Sequence, residues 1–147
     1  MRRRFPFIAL LALTLVSAVS PQTTYRASTS ERALRLHIIN APTPAFPIDA
    51  LKRGKYGVVV ASLDLDASGR VADVRILESP TSSMGDSVAK AISSWQFRPF
   101  KRKDGQPMRM SGKLTFYFEL RGKEGIVLDP SQAGYVGRFP QMELKAR

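Results

Sequence analysis

His37 is the single histidine of the chain, and there is no cysteine. A metal site would therefore have to be built from carboxylates, and a thiol nucleophile is excluded. A lone histidine of this kind reads as a surface or packing residue. Asp64, Asp66 and Asp73 are the nearest thing to a cation loop, but their spacing lacks the calcium-loop pattern. Gly54-Lys55 and Gly112-Lys113 lack the upstream glycine of a phosphate loop, and no nucleophile elbow or dinucleotide motif occurs. The residues that could do catalytic chemistry form no constellation. The expectation is a protein that is not an enzyme, without metal or cofactor.

What remains is charge. The 147 residues carry 23 Lys+Arg against 12 Asp+Glu, a formal +11. Arg98, Lys101, Arg102, Lys103, Arg109 and Lys113 form a basic cluster whose single acid is Asp104. Such a cluster either solubilises a face or attracts acidic peptides, anionic lipid head groups or peptidoglycan. Phe97, Phe100 and Phe116 are interleaved with it and could imitate a base-stacking platform. Export, argued next, speaks against nucleic acid as the partner.

Arg2, Arg3 and Arg4 precede an apolar run from Phe5 to Val19, with small residues at Val16-Ser17-Ala18. This is the layout of a secretory signal cleaved after Ala18. The run is about 15 residues, short of the roughly 20 that cross a bilayer, so a retained anchor is the second option. Residues 1–18 are thus a signal peptide or N-terminal anchor, and the expected location is the periplasm, or the inner membrane facing it. Membrane contact follows only if residues 1–19 are retained. Residues 19–43 read as a linker, being Ser/Thr-rich and then Pro-rich, although the Leu34, Leu36, Ile38 alternation hints at a short strand or a helical turn.

The elements that position any site begin near Pro44. In the stretch from Gly57, Val59, Ala61, Leu63 and Leu65 share one face of a strand. Asp66-Ala67-Ser68-Gly69 is a tight-turn signature, and Arg70 to Glu78 is the returning strand. A helix is expected from about Met84 to Ser94, opened by Ser83 with Asp86 three residues on, and carrying Val88, Ala91, Ile92 and Trp95 in one stripe. Pro99 stops it. Met110 to Leu120 alternates cleanly, with Leu114, Phe116 and Phe118 on the apolar face and Lys113, Thr115 and Tyr117 on the wet one. The fold class is α+β: a small antiparallel β-sheet with one helix packed on its face, in the order β-β-α-β. The domain spans 44–120, and 121–147 is a weakly patterned tail in which Ile126-Val127-Leu128 can add a short strand and Tyr135 and Phe139 can dock on the core.

Five pieces in order carry a resemblance. They are Ala45-Phe46-Pro47, Tyr56-Gly57-Val58, Asp66-Ala67-Ser68-Gly69-Arg70-Val71, Trp95-Gln96-Phe97-Arg98-Pro99, and Gly105-Gln106-Pro107 followed by Leu114-Thr115-Phe116-Tyr117-Phe118. Over about residues 44–120 the chain resembles the TonB C-terminal domain, the periplasmic end of the energy transducer of Gram-negative bacteria. The resemblance implies a structural core with Gly69, Trp95, Phe97 and Pro99. It further implies that the last strand is a sheet edge. There a short segment of an outer-membrane transporter, the TonB box, adds as another strand. Carried over, Ser111, Lys113, Thr115, Tyr117 and Glu119 are the docking residues, with Pro44, Phe46 and Pro47 near the same surface. The partner is a transporter segment or another envelope protein. The alternative function is a secreted assembly module that self-associates, as a homodimer, through the same edge. Two departures stand out: the apolar run lacks the intramembrane His of the family's anchors, and the linker of about 25 residues is short and poor in Pro for a rigid spacer.

Overall fold

The computed structural model describes residues 26–128. The expected signal or anchor, the first part of the linker and the end of the tail lie outside the described residues. Among the described residues, no helix is long and apolar enough to cross a membrane.

In chain order the elements are β1 (Arg26–Ser28), α1 (Glu31–Leu36), β2 (Ile38–Asn40), α2 (Ile48–Lys52), β3 (Gly57–Leu65), β4 (Val71–Glu78), α3 (Ser82–Ser93), β5 (Gln96–Phe97), β6 (Phe100–Lys101), β7 (Pro107–Arg121) and β8 (Glu124–Leu128). The main sheet runs β1-β7-β3-β4, with β6 and β8 also pairing with β7. The expected β-β-α-β frame is β3, β4, α3 and β7. All its pairings are antiparallel, and the sheet becomes mixed only because β1 joins β7 in parallel.

The core forms where the two periodicities meet. Val59, Ala61, Leu63 and Leu65 of β3 lie beside Phe116, Leu114, Gly112 and Met110 of β7, pair by pair. Period-2 alternation puts all of them on one face. Met84, Val88 and Ile92 of α3 are buried against that face, as is Trp95 just beyond the helix. Trp95 meets Phe116 edge-on at 5.8 Å, and its indole N–H donates to Pro42 O at 3.0 Å.

The helix start differs from expectation. Thr81, not Ser83, is the N-cap, its hydroxyl accepting from Met84 N at 3.3 Å. Ser83 instead donates to the Asp49 carboxylate at 2.9 Å, which ties α3 to α2. A hydroxyl two residues earlier satisfies the same orphan donors, so the helix starts two residues earlier.

The linker expectation is corrected between 26 and 40. Ser30 caps α1, accepting from Ala33 N at 3.3 Å, and Glu31 pairs with Arg35 one turn on at 2.7 Å. Leu34 is 0 % exposed, whereas Leu36 is 65 % exposed, so the residues followed a helical and not a strand period. The folded unit therefore begins upstream of Pro44. Tail residues Glu124–Leu128 also join the sheet, as β8.

The β3–β4 turn is held by one carboxylate. Asp66 accepts from Ser68 N at 2.8 Å, Ser68 Oγ at 2.6 Å and Arg70 N at 3.0 Å. Desolvation pushes its pKa up, but these donors and the Arg70 charge together outweigh it, and the net shift is below the ordinary 3.8. A carboxyl depressed in the folded state stabilises above its unfolded pKa and loses that contribution as pH falls through the folded value. Asp66→Asn should therefore be less stable than the parent at pH 7. The gap should shrink below about pH 4, near the unfolded carboxyl pKa. Urea melts of both proteins at the two pH values check this, and a gap independent of pH would contradict it.

Candidate docking edge

β7 is not an edge strand, which corrects the sequence expectation. Its inner side is paired with β3 from Met110 to Phe118. On its outer side, β1 pairs with Arg109–Ser111 in parallel and β8 pairs with Tyr117–Arg121. Among the described residues no strand lies opposite 112–116. Backbone alternation decides which groups face that gap. Ser111 O accepts from Thr29 N at 2.8 Å and Thr115 N donates outward to Glu31 Oε1 at 2.9 Å, so the odd residues point outward. Only Lys113 and Thr115 present their main-chain groups within the gap.

The expected docking residues therefore separate. The side chains of Ser111, Lys113, Thr115, Tyr117 and Glu119 share the sheet face turned away from α3. Of these, Lys113 is exposed and the others are half-buried. The outer side of Ser111 faces β1, and that of Tyr117 and Glu119 faces β8, where they lie opposite Leu128 and Ile126. Pro44 is buried. Phe46 packs edge-on against Phe118 at 5.4 Å and so closely over Gly125 that a Cβ there would approach its ring to 2.4 Å. Pro47 caps α2 and is half-buried. Of the three, Phe46 braces the β7–β8 side of the sheet and remains half-buried.

Sequence reasoning missed Glu31. Its carboxylate takes both the amide and, at 3.2 Å, the hydroxyl of Thr115. The available signal was Ser30-Glu31 with Arg35 four residues on, which marks a capped helix start but gives no hint of a partner 84 positions away. Beside the gap, an open groove of about 540 Å³ is lined by residues including Thr29, Glu31, Asp64, Arg75 and Lys113.

The basic cluster is spread out. Arg98 is a structural tie, its guanidinium donating to Leu36 O at 2.6 Å. Lys101 at the end of β6 and Arg102 and Lys103 on the following turn are exposed, and Arg102 pairs with Asp104 at 3.6 Å. Arg109 and Lys113 are exposed along β7. The interleaved aromatics are not a platform: Phe97 and Phe116 are buried, and Phe100 lies under His37 at 3.9 Å between ring centroids. His37 thereby is a packing residue, with Nδ1 3.2 Å from Arg98 O. Among the described residues, no group of three His, Asp or Glu side chains is placed to hold a metal ion.

Of the four residues expected in the core, Gly69, Trp95 and Phe97 are buried and Pro99 is exposed. Trp95 and Phe97 fill the sheet–helix interface, Pro99 separates β5 from β6, and Gly69 closes the turn at φ +83°. The model of the Gram-negative bacterial TonB protein C-terminal family matches residues 42–120. Protein TonB of Yersinia enterocolitica is 37 % identical over 62 residues, 42 % of this chain and 24 % of that protein. Protein TonB of Vibrio cholerae is 34 % identical over 80 residues, 54 % of this chain and 32 % of that protein. The chain thus spans a quarter to a third of the length of these relatives. The solution structure of the Pseudomonas aeruginosa TonB C-terminal domain is 27 % identical, with a TM-score of 0.49 over 59 % of this chain and 88 % of that one. With more than half of its length matched by the family model, the chain belongs to the TonB C-terminal family, a family of transducer and interaction domains and not of enzymes.

Proposed function

We propose that the protein is a periplasmic docking module that captures an extended segment of an outer-membrane transporter by strand addition at the outer side of β7, as part of TonB-type energy transduction. The observation that carries this reading is the gap in outer pairing between Ser111 and Tyr117, where the main chain of Lys113 and Thr115 faces outward. A strand placed there would exchange main-chain hydrogen bonds with those two residues and extend its side chains over the wet face. The exposed Lys113 and Arg109 would steer an acidic segment, so association should slow as ionic strength rises. Family membership supports a periplasmic location for the module. If residues 1–18 stay in the membrane, the module is anchored on the inner side.

Thr115→Pro tests the mechanism. The substitution removes an outward N–H and leaves the inner pairing of β7 with β3 in place, because position 115 points away from β3. The variant should stay folded by circular dichroism and lose binding of synthetic TonB-box peptides in calorimetry. Undiminished binding by a folded variant would sink strand addition at this site. Self-association through the same gap is the competing reading. Light scattering on the eluting protein separates them, since docking expects a monomer and assembly a dimer.

A further inference from the structure

Residues 26–36 do more than cap the sheet. Thr29 N donates to Ser111 O at 2.8 Å, and Ser111 Oγ donates to Ala27 O at 3.2 Å. Leu34 sits directly on Gly112, where a Cβ would come within 2.5 Å of its Cδ1. Glu31 holds Thr115, and Arg35 holds Glu31 at 2.7 Å. The segment therefore lies along the β7 gap and supplies an acceptor where a docked strand would place a backbone carbonyl.

Its elements are short. Among residues 27–36, Leu34 is the one fully buried side chain; the strand is three residues and the helix six. Short elements with few buried apolar contacts open at the low end of a protein's local stabilities. Its far end is pinned: Arg98 binds both Leu36 O and His37 O at 2.6 Å, and Ile38 pairs with Phe97. That end is thereby fixed to Arg98 and β5. The segment precedes the family-matched block, which begins at residue 42.

We infer that residues 26–36 form a detachable latch over the docking edge, with the Glu31 carboxylate occupying the Thr115 amide until an incoming strand displaces it. The inference rests on the docking reading above and adds its regulation. A partner strand with acidic residues competes with Glu31 for the same amide and the same basic rim.

Hydrogen exchange on the full chain tests the latch without any ligand. In Glu31→Ala, the amides of Thr29, Leu34 and Thr115 should exchange together, roughly ten- to a hundredfold faster than in the parent, as expected for a lost charge-assisted hydrogen bond. Leu114 and Phe116, whose amides point toward β3, should not change. Equal acceleration along all of β7, or none at Thr115, would overturn the latch. A second variant works by locking it. Ser28 and Ser111 are register partners in a chain without cysteine, so S28C/S111C offers a single reversible cross-link. Oxidised protein should lose binding of TonB-box peptides, and reduction should restore it. Equal peptide affinity in the two redox states would overturn the latch. Peptide binding absent from the reduced protein and from Glu31→Ala alike would instead overturn the docking reading, with the exchange pattern still deciding the latch.

Discussion

Trp95→Ala is expected to cost about 3–5 kcal/mol, the range for truncating a buried aromatic side chain. Trp95 is 1 % exposed and is shared by three parts of the fold. Its ring contacts Phe116 of β7 and Phe97 of β5, with centroids at 5.8 and 6.1 Å. Its N–H satisfies Pro42 O in the lead-in segment. Alanine would leave a cavity that α3 cannot fill, because α3 is already seated on β3 and β4, and would orphan a carbonyl as well. Set against a typical total of about 5–15 kcal/mol, this is a large share. The melting temperature should fall by roughly 15–30 °C. Thermal melts by circular dichroism check it, and a fall of only a few degrees would show that Trp95 is not the bridge between these elements.

Gly69→Ala is expected to have the second largest effect. Gly69 has φ +83°, and a Cβ there would lie 2.1 Å from Phe97 O and 2.9 Å from Phe97 C. Both are backbone atoms, so no rotamer change relieves the clash. The β3–β4 turn must move off β5 and lose the Phe97 N to Gly69 O hydrogen bond of 3.0 Å. Backbone strain and the broken bond together amount to about 2–4 kcal/mol. Gly105→Ala is the control. Its φ is +82° but nothing lies within 4 Å of the added carbon, so only the left-handed penalty of about 1–2 kcal/mol applies. Urea unfolding of both variants should place Gly69→Ala clearly below Gly105→Ala. Equal losses would mean that the turn does not press on β5 as described.

These two residues also mark what a sequence can disclose. The turn at Asp66–Gly69, the stripe of α3 and the alternation of β7 are local periodicities, and the structure has all three where the residue pattern put them. Side-chain alternation fixes which face of β7 is buried, hence Leu114, Phe116 and Phe118 inside. It carries no information about which strand lies beside β7. That neighbour is decided by partners distant in sequence, such as Arg26–Ser28 beside Arg109–Ser111, and by the return of Glu124–Leu128. The docking edge was therefore expected to be longer and more open than it is. Leu34, Leu36 and Ile38 show the other failure: three alternating residues fit a strand and a helical turn equally well, and the structure puts Leu34 and Leu36 in α1 and Ile38 in β2. Glu31 was invisible because its role depends on a contact with Thr115 that no local spacing encodes.

The central claim is that an extended partner pairs with the outer side of β7 at Lys113 and Thr115. Titrating isotope-labelled full-length protein with a TonB-box peptide, and following its amide resonances by NMR, addresses it most directly. The account predicts the largest shifts at Lys113 and Thr115, with smaller ones at Thr29 and Glu31 as the covering segment gives way, and little change along β4. Shifts confined to β4, or a spectrum unmoved by saturating peptide, would contradict it.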